Sequence, residues 1–403
     1  MSLGSLVRGG WRRWAVVLAG AVLLGSVPAV VAAIPVPASP LSAAALRARI
    51  LASGRVPYEA YAESVANFGL PQLPDLRDVS TLLDGTTDQY VWYRSAAYWR
   101  AEEVTSAGQN AAFAAGESDA YTDGGVTYLW TYGRNVLTQV LGAQPVRLPR
   151  PPDLLPPPLA LRLLHIAGRD ARFTRLPTRR IAGVTVAGLR VVPADASTTI
   201  GSVDIWADPR TGLPAEVQLT ARGAAYPSLT STFLELSERR PTLDQVTPHP
   251  AAQIGIATAK LPDVDSVLSG DGDGDGDHTP FPARLAGQGY VPLPGSPPGV
   301  AIYGAGLSRF VLLPLPRGEG STAYNAAVSA GAQLVTLGDQ ATSGPGGATT
   351  GAVIRTPLLS VLLVTAGFHH TTFAFAGAVS PPLLENAANS FISDLAHRFR
   401  RPR

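Results

Sequence analysis

The chain has no cysteine, one methionine and a single lysine, Lys260. Without cysteine there is no disulfide framework, no thiol nucleophile and no thiolate zinc site. A lipoprotein anchored through an acylated cysteine is excluded for the same reason. The missing lysines leave arginine as almost the whole basic complement. This reads as the codon bias of a GC-rich bacterial genome rather than as selection for bidentate anion recognition. Charge is scarce too. Only 15% of residues are charged and the formal net charge is +2. No long basic stripe lies outside the termini, which argues against a nucleic-acid partner.

What is plentiful is apolar surface, at 46% of residues, enough for a large core and too much for wholesale disorder. A length of 403 residues exceeds one compact core, so two folded units with linkers are expected. Near the start, Arg8, Arg12 and Arg13 precede an uncharged run from Trp14 to Ile34. Basic residues before an apolar run hold that end in the cytoplasm. The run is long enough to span a bilayer at about 1.5 Å per residue. Pro28 and the small residues Val31-Ala32-Ala33 suggest a cleaved signal peptide. The poor cleavage context at Ile34 and Pro35-Val36-Pro37 suggests an uncleaved anchor. Both readings place the rest of the chain outside the cytoplasmic membrane.

After the Pro-rich tether, residues 41–51 pattern as a helix ended by Gly54. Strands follow at 57–68, 89–94 and 98–104. The segments 118–122 and 126–132 flank Asp123-Gly124-Gly125, a strong hairpin signal, and 135–140 completes the run. A Pro-rich stretch, 148–158, leads to a short apolar helix at 159–166. Strands resume at 172–176, 185–192, 201–207, 215–222 and 231–236. The turn Asp208-Pro209-Arg210-Thr211-Gly212 joins two of them. Helix, strands, helix, strands is an α+β layout with an extended antiparallel sheet and helices on one face. Residues 251–281 pattern as a Gly/Asp-rich linker. In it, Gly270 to His278 alternates Gly and Asp. The spacing fits a calcium loop, but Pro282 stands where the bidentate acid belongs. A solvated spacer has the same composition. Beyond it, strands are expected at 308–315, 333–337, 352–355, 358–365 and 371–376, with a C-terminal helix from Pro381 to Phe399 and a basic tail.

Catalytic sets are hard to find. No nucleophile elbow, phosphate loop or dinucleotide fingerprint is present. His165 lies on an apolar helix and reads as a core or rim residue. His369-His370 sits at a hairpin tip without further ligands at recognisable spacing. Glu102 and Glu103 are adjacent on a strand and point to opposite faces. No catalytic residue, cofactor or metal site is therefore assigned. The aromatics are more informative. Tyr90 and Trp92 share one strand face, Val91 and Tyr93 the other, and Tyr128, Trp130 and Tyr132 likewise share a face. Bulky rings so spaced suit either an apolar ligand pocket or an ordinary packed core. Tyr90, Trp92 and Trp130 are the candidate cavity wall.

The segments QYVWYRSAAYWRAEEV (89–104), YTDGGVTYLWTY (121–132) and GLRVVPADASTTIGSVDIWADPRTGLPAEVQL (188–219) resemble LolA-like and RseB/MucB-like bacterial envelope domains. In these a Trp-x-Asp strand end turns through Thr-Gly-Leu-Pro, here Trp206, Asp208, Thr211, Gly212, Leu213 and Pro214. The resemblance covers roughly residues 41–247. A shorter one, 371–391, matches the end of the second RseB/MucB domain. It implies a strongly curved half-barrel sheet closed by helices, with an apolar cavity for acyl chains or lipoproteins, and a smaller α+β domain after it. It also implies an anti-sigma factor as partner for the RseB-like members. The resulting division is 1–39 for the signal or anchor segment and tether, 40–250 for the first domain, 251–281 for the linker and 282–403 for the second domain. The function expected is non-catalytic binding outside the cytoplasmic membrane, in envelope-stress regulation or lipoprotein sorting. The alternatives are a protein-interaction module without a lipid cavity and an uncharacterised hydrolase.

Overall fold

A computed structural model describes residues 37–70, 77–104, 118–131, 136–140, 147–168, 171–249, 255–259, 281–292, 299–315, 317–338, 349–366 and 371–399. The described residues from Pro40 onward belong to one compact unit. The run from Trp14 to Ile34, the Gly-Asp repeat, His369-His370 and the tail 400–403 lie outside the described residues. Among the described residues no helix is long and apolar enough to cross a membrane.

Helix α1 (Ala43–Ala52) begins where the Ser42 hydroxyl accepts a hydrogen bond from the Ala45 N–H at 3.1 Å, an N-cap for an otherwise orphan donor. Leu46 and Ile50, one turn apart, form its buried stripe. A single 3₁₀ turn, Ser53–Arg55, leads into β1 (Tyr58–Ala66). Then come α2 (Arg77–Leu83), β2 (Thr86–Ser95), β3 (Tyr98–Val104), β4 (Ser118–Asp123), β5 (Val126–Thr131) and β6 (Val136–Val140). The β4–β5 turn has φ of +58° at Gly124 and +86° at Gly125. Those values suit the tight turn expected of Asp-Gly-Gly. After a 3₁₀ turn at Pro151–Leu154, α3 (Pro156–Ile166) carries prolines in its first turn, where a missing N–H costs nothing. Next follow β7 (Arg172–Ile181), β8 (Val184–Val192), β9 (Ile200–Ala207), β10 (Pro214–Ala221) and β11 (Leu229–Ser237). α4 (Leu243–Val246) and β12 (Gly255–Ala259) complete this part.

These strands make one 12-stranded sheet, ordered β12-β6-β5-β4-β3-β2-β1-β11-β10-β9-β8-β7. It is antiparallel except for β12, which runs parallel to β6. β12, residues 255–259, lies within the segment 251–281 expected as a linker. β7 runs past the expected end at residue 176. Pro177 is tolerated there because β7 is an edge strand and a register irregularity falls between Leu176 and Arg179. The sheet is open, with β7 and β12 as its edges, yet it is rolled at one end. Cα atoms of β7 and β11 approach within 8 Å, whereas four strand spacings of about 4.8 Å would separate them by about 19 Å in a flat sheet. α1 and α3 cover one face. Leu46, Ile50, Leu159 and Leu164 pack with Leu189, Val203, Ile205, Val217 and Leu219 of β8 to β10.

The rest of the unit begins with the ribbon β13 (Arg284–Leu285) and β14 (Gln288–Gly289), then β15 (Ala301–Tyr303), β16 (Phe310–Leu315), α5 (Arg317–Ser329), β17 (Gln333–Leu337), β18 (Thr349–Arg355), β19 (Ser360–Ala366), β20 (Thr371–Gly377) and α6 (Pro381–Phe399). The second sheet is ordered β15-β16-β20-β19-β18-β17. Both its faces are covered. Leu362 and Val364 meet Leu384 and Phe391 of α6, while Leu363 meets Ala327 of α5. That is why β19 reads as a continuous apolar run instead of an alternating one. The loop before β9 joins the two sheets. Thr198 bridges Val379, the Ser380 N–H donates to the Ser197 carbonyl at 2.7 Å and the Thr199 hydroxyl donates to the Leu358 carbonyl at 2.6 Å.

Candidate functional site

The cross-strand register decides which side chains share a face. Tyr58 stands opposite Tyr93, and Tyr93 opposite Trp99. Val91 stands opposite Ala101, Ala101 opposite Ala120, and Ala120 opposite Leu129. This face of β1 to β5 turns toward the helices. Three polar contacts fix the cover to it. The Tyr93 hydroxyl donates to the Gly54 carbonyl at 2.6 Å, Gln89 Nε2 donates to the Pro151 carbonyl at 2.9 Å, and the Ser64 hydroxyl contacts the Leu154 carbonyl at 3.4 Å.

Between cover and sheet lies a cavity of about 270 Å³. Tyr58, Val91, Tyr93, Trp99, Ala120, Thr127 and Leu129 form its floor. Ser53, Gly54, Leu155, Pro157, Pro158, Leu161 and Leu213 form its roof, and Arg147, Arg150, Pro152 and Asp153 close one side. At about 30 Å³ for each water-sized group, the space holds about nine. The Tyr58 and Tyr93 rings stack at 5.2 Å between centroids with 17° between planes. Burial, and then the neighbouring Tyr93, push the Tyr58 hydroxyl above the usual phenol range. Burial pushes Tyr93 up as well. Both therefore stay neutral over the physiological range.

The charged side is well ordered. Arg147 holds both oxygens of Asp153, at 2.6 and 2.7 Å. The Arg150 N–H donates to the same carboxylate at 2.9 Å and Arg162 at 3.2 Å. Burial alone pushes the Asp153 carboxyl up. The Arg147 hydrogen bonds and charge, the Arg150 N–H and Arg162 outweigh it and hold the group below the usual carboxylate range.

Tyr90 and Trp92 alternate with Val91 and Tyr93, so they lie on the other face of β2. Trp130, opposite Asp119, shares that face. The structure thus groups the three expected residues on one side of the sheet, while the cavity described above lies on the other. On their side, Tyr90 meets Tyr61 at 4.7 Å and Trp92 at 6.1 Å between centroids. Arg100 lies 5.0 Å from the Trp92 ring and 5.3 Å from the Tyr121 ring. It also pairs with fully buried Asp119 at 2.7 Å and with Glu102 at 2.8 Å. Period-2 alternation correctly separated the two faces. It left open which of them turns to the helices, because both carry aromatics. Arg147, Arg150 and Asp153 had no sequence signal beyond the Pro-rich stretch around them. His165 is exposed on α3, its Nδ1 2.7 Å from the Leu161 carbonyl. Among the described residues no group of three or more His, Cys, Asp or Glu could hold a metal ion.

The turn Thr211-Gly212-Leu213-Pro214 belongs to the same site. Gly212 has φ +80°, its N–H donates to the Asp208 carbonyl at 2.8 Å, and Arg49 of α1 donates to the Pro209 carbonyl. The turn therefore seats the end of α1 and delivers Leu213 to the cavity roof.

Searches of known families and of curated proteins give no match to this chain. Among solved structures, the chain is similar to the MucA/MucB complex of Pseudomonas aeruginosa, at 16% identity over 86% of this chain and 97% of that one, with a TM-score of 0.45. It is similar to MucB in a further crystal structure, at 15% identity over 86% of this chain and 96% of that one, with a TM-score of 0.41. A LolA-superfamily protein from Nitrosomonas europaea matches at 8% identity over 52% of this chain and 98% of that one, with a TM-score of 0.22.

Proposed function

We propose that this chain is a non-catalytic binding protein, working outside the cytoplasmic membrane, whose larger sheet curls as a half-barrel around one apolar chain. The cavity between Tyr58, Val91, Leu129 and the Pro157-Pro158 roof carries this reading. It is mostly apolar with a few polar fixings, as ligand sites are. The resemblance of segments 89–104, 121–132 and 188–219 to LolA-like and RseB-like domains supports the same reading. Volume narrows the ligand class. Room for about nine methylene-sized groups suits one acyl chain and not the several chains of a lipoprotein anchor held together. At about 0.8 kcal/mol per methylene, such a chain gains on the order of 7 kcal/mol gross, against an association cost of about 4 kcal/mol or more. Binding through the chain alone is then weak and reversible, which suits a sensor better than a store.

A sensor needs a protein to inform. The RseB-like resemblance supports an anti-sigma factor as that partner, in envelope-stress regulation. A sigma/anti-sigma pair encoded alongside would favour that role, and a transporter would favour lipoprotein sorting. Arg8, Arg12 and Arg13 before the apolar run support an extracytoplasmic location. Protease added to spheroplasts should digest residues 40–403, and protection of that region would exclude it. The deciding experiment is titration of the purified protein with a fluorescent fatty acid. Saturable binding that falls in Trp99→Ala but persists in Trp92→Ala is expected for the cavity. The reverse pattern would assign binding to the Tyr90, Trp92 and Trp130 face. Absence of saturable binding would leave a protein-interaction module.

A further inference from the structure

A second pocket, of about 420 Å³, shares Gly54 with the cavity described above. Its wall comes from three stretches of chain: residues 54–57, the end of the β2–β3 hairpin at 94–97, and Arg240. The end of β2 ties the other two in place. The Tyr93 hydroxyl donates to the Gly54 carbonyl and Arg94 Nη1 donates to the Pro241 carbonyl, both at 2.6 Å. The turn residues Ser95, Ala96 and Ala97 are small and leave the space open. Three of the eight lining residues are arginine and none is acidic, a concentration of charge that stands out in a chain with only 32 basic residues among 403. Arg55 and Arg240 are exposed, and among the described residues neither makes a hydrogen bond or an ion pair. Arg94 is held by a neutral carbonyl and by no carboxylate among the described residues. The carboxylates nearest in sequence to Arg55 and Arg240 are engaged elsewhere. Glu59 pairs with Arg239 at 2.6 Å, Glu238 pairs with Arg210, and Asp244 lies 3.0 Å from His249 Nε2. The pocket therefore holds three cationic side chains without a counter-charge in its wall. A concave site lined by one sign of charge focuses its field and draws the opposite ion.

We propose that the pocket between Arg55, Arg94 and Arg240 is a binding site for a phosphate monoester. Three guanidiniums from three stretches of chain match a group that carries about two negative charges and three acceptor oxygens. A carboxylate brings one charge and two oxygens, and leaves part of the set unmatched. Arginine pairs with phosphate through its planar fork, in charge-assisted hydrogen bonds stronger than neutral ones. At about 30 Å³ for each water-sized group, the space holds about fourteen such groups, more than a bare phosphate fills. The carrier of the phosphate is seated as well, and it is either a lipid backbone or a small soluble alcohol. The two share the same phosphate chemistry and are separated by experiment. The proposal goes beyond the apolar-ligand reading and does not depend on it.

The full chain is titrated calorimetrically at low salt with glycerol 3-phosphate, glycerol, acetate, soluble dihexanoyl phosphatidic acid and an oligoglutamate peptide. Glycerol 3-phosphate should bind saturably, and glycerol and acetate should not. Arg55→Gln and Arg240→Gln should each weaken it about five-fold, the scale of one exposed ion pair. Neither residue makes a bond within the chain that its loss would break. Arg284→Gln, on the β13–β14 ribbon, changes net charge equally and should leave binding intact. Dihexanoyl phosphatidic acid binding more tightly than glycerol 3-phosphate names a lipid as the source, and equal binding names a soluble ester. Glycerol 3-phosphate no better than acetate in the wild-type protein would overturn the proposal. So would binding that survives both pocket substitutions, or that falls equally in Arg284→Gln. Oligoglutamate binding without glycerol 3-phosphate binding would also overturn it and make the pocket a dock for an acidic protein segment. Binding of glycerol 3-phosphate by a protein that takes up no fluorescent fatty acid would uphold this site while removing the apolar-ligand reading.

Discussion

Gly212→Ala should unseat the end of α1, and the structure allows its cost to be divided. At φ +80°, any residue with a Cβ sits in the left-handed region, at a cost of roughly 1–2 kcal/mol. The added Cβ would also lie 2.2 Å from the Arg49 carbonyl oxygen and 2.5 Å from its carbon. Both are backbone atoms of a helix, so no side-chain rotation relieves the clash. Either α1 retreats or the turn opens, and forced overpacking of this kind costs about 1–3 kcal/mol. The total is about 2–5 kcal/mol. Gly223 supplies the control. Its φ is +79°, but a Cβ there meets nothing within 4 Å. Gly223→Ala should therefore show only the backbone cost. Urea denaturation of both variants, with midpoints compared at unchanged slope, isolates the clash with α1. Ser53 and Gly54 follow α1 into the cavity roof, so Gly212→Ala should also weaken fatty-acid binding and Gly223→Ala should not. Equal destabilisation by the two substitutions would refute the seating of α1 on this turn.

Three further outcomes are expected. Tyr93→Phe removes the 2.6 Å bond to the Gly54 carbonyl, should cost about 1 kcal/mol, and should speed release of a bound fluorescent fatty acid in stopped flow. The lowered pKa of Asp153 means that its folded carboxylate holds its proton more weakly than the unfolded one. Its contribution to stability is complete above the ordinary value of 3.8 and is lost as pH falls below that through the folded value. Acid unfolding of Asp153→Asn should accordingly be less steep in that window, and an unchanged profile would exclude the linkage. Thr198 shares its hydroxyl between the carbonyls of Leu307 and Ala378, at 3.0 and 2.8 Å, where the two sheets join. Thr198→Val should cost about 1–3 kcal/mol and lower hydrogen-exchange protection at Thr199 and Ser380, whereas loss of protection only at distant strands would argue against this joint.

The elements that sequence alone located share one property, a local signal. Asp123-Gly124-Gly125 announced its hairpin because two consecutive positive φ angles are cheap only for such residues. Alternation placed β2, β3 and β8 to β11 within a few residues, and Ser380-Pro381 opened α6. The elements missed carry no such signal. α5 has the sequence RGEGSTAYNAAVS, in which two glycines and several small polar residues dilute helix propensity. It forms because its buried side, Ala327, meets Ala352 and Leu363 of the second sheet. β12 is five residues long and gains its place from parallel pairing with β6. Such pairing is a long-range fact, and no window of sequence around 255–259 contains it.

The site shows the same division between local and non-local information. In β2 the order Tyr90-Val91-Trp92-Tyr93 places aromatic rings on both faces, so composition cannot orient the strand. The deciding contacts come from far along the chain. The Gly54 carbonyl that receives Tyr93 is 39 residues away, and the Pro151 carbonyl that receives Gln89 is 62 residues away. Each satisfies a polar group that the cover would otherwise bury unpaired, at a cost of about 1–3 kcal/mol. Facing Tyr93 and Gln89 outward instead would forfeit their bonds to Gly54 and Pro151. The orientation of the sheet is therefore fixed by where its polar groups can be satisfied. The apolar floor of the cavity follows from that choice.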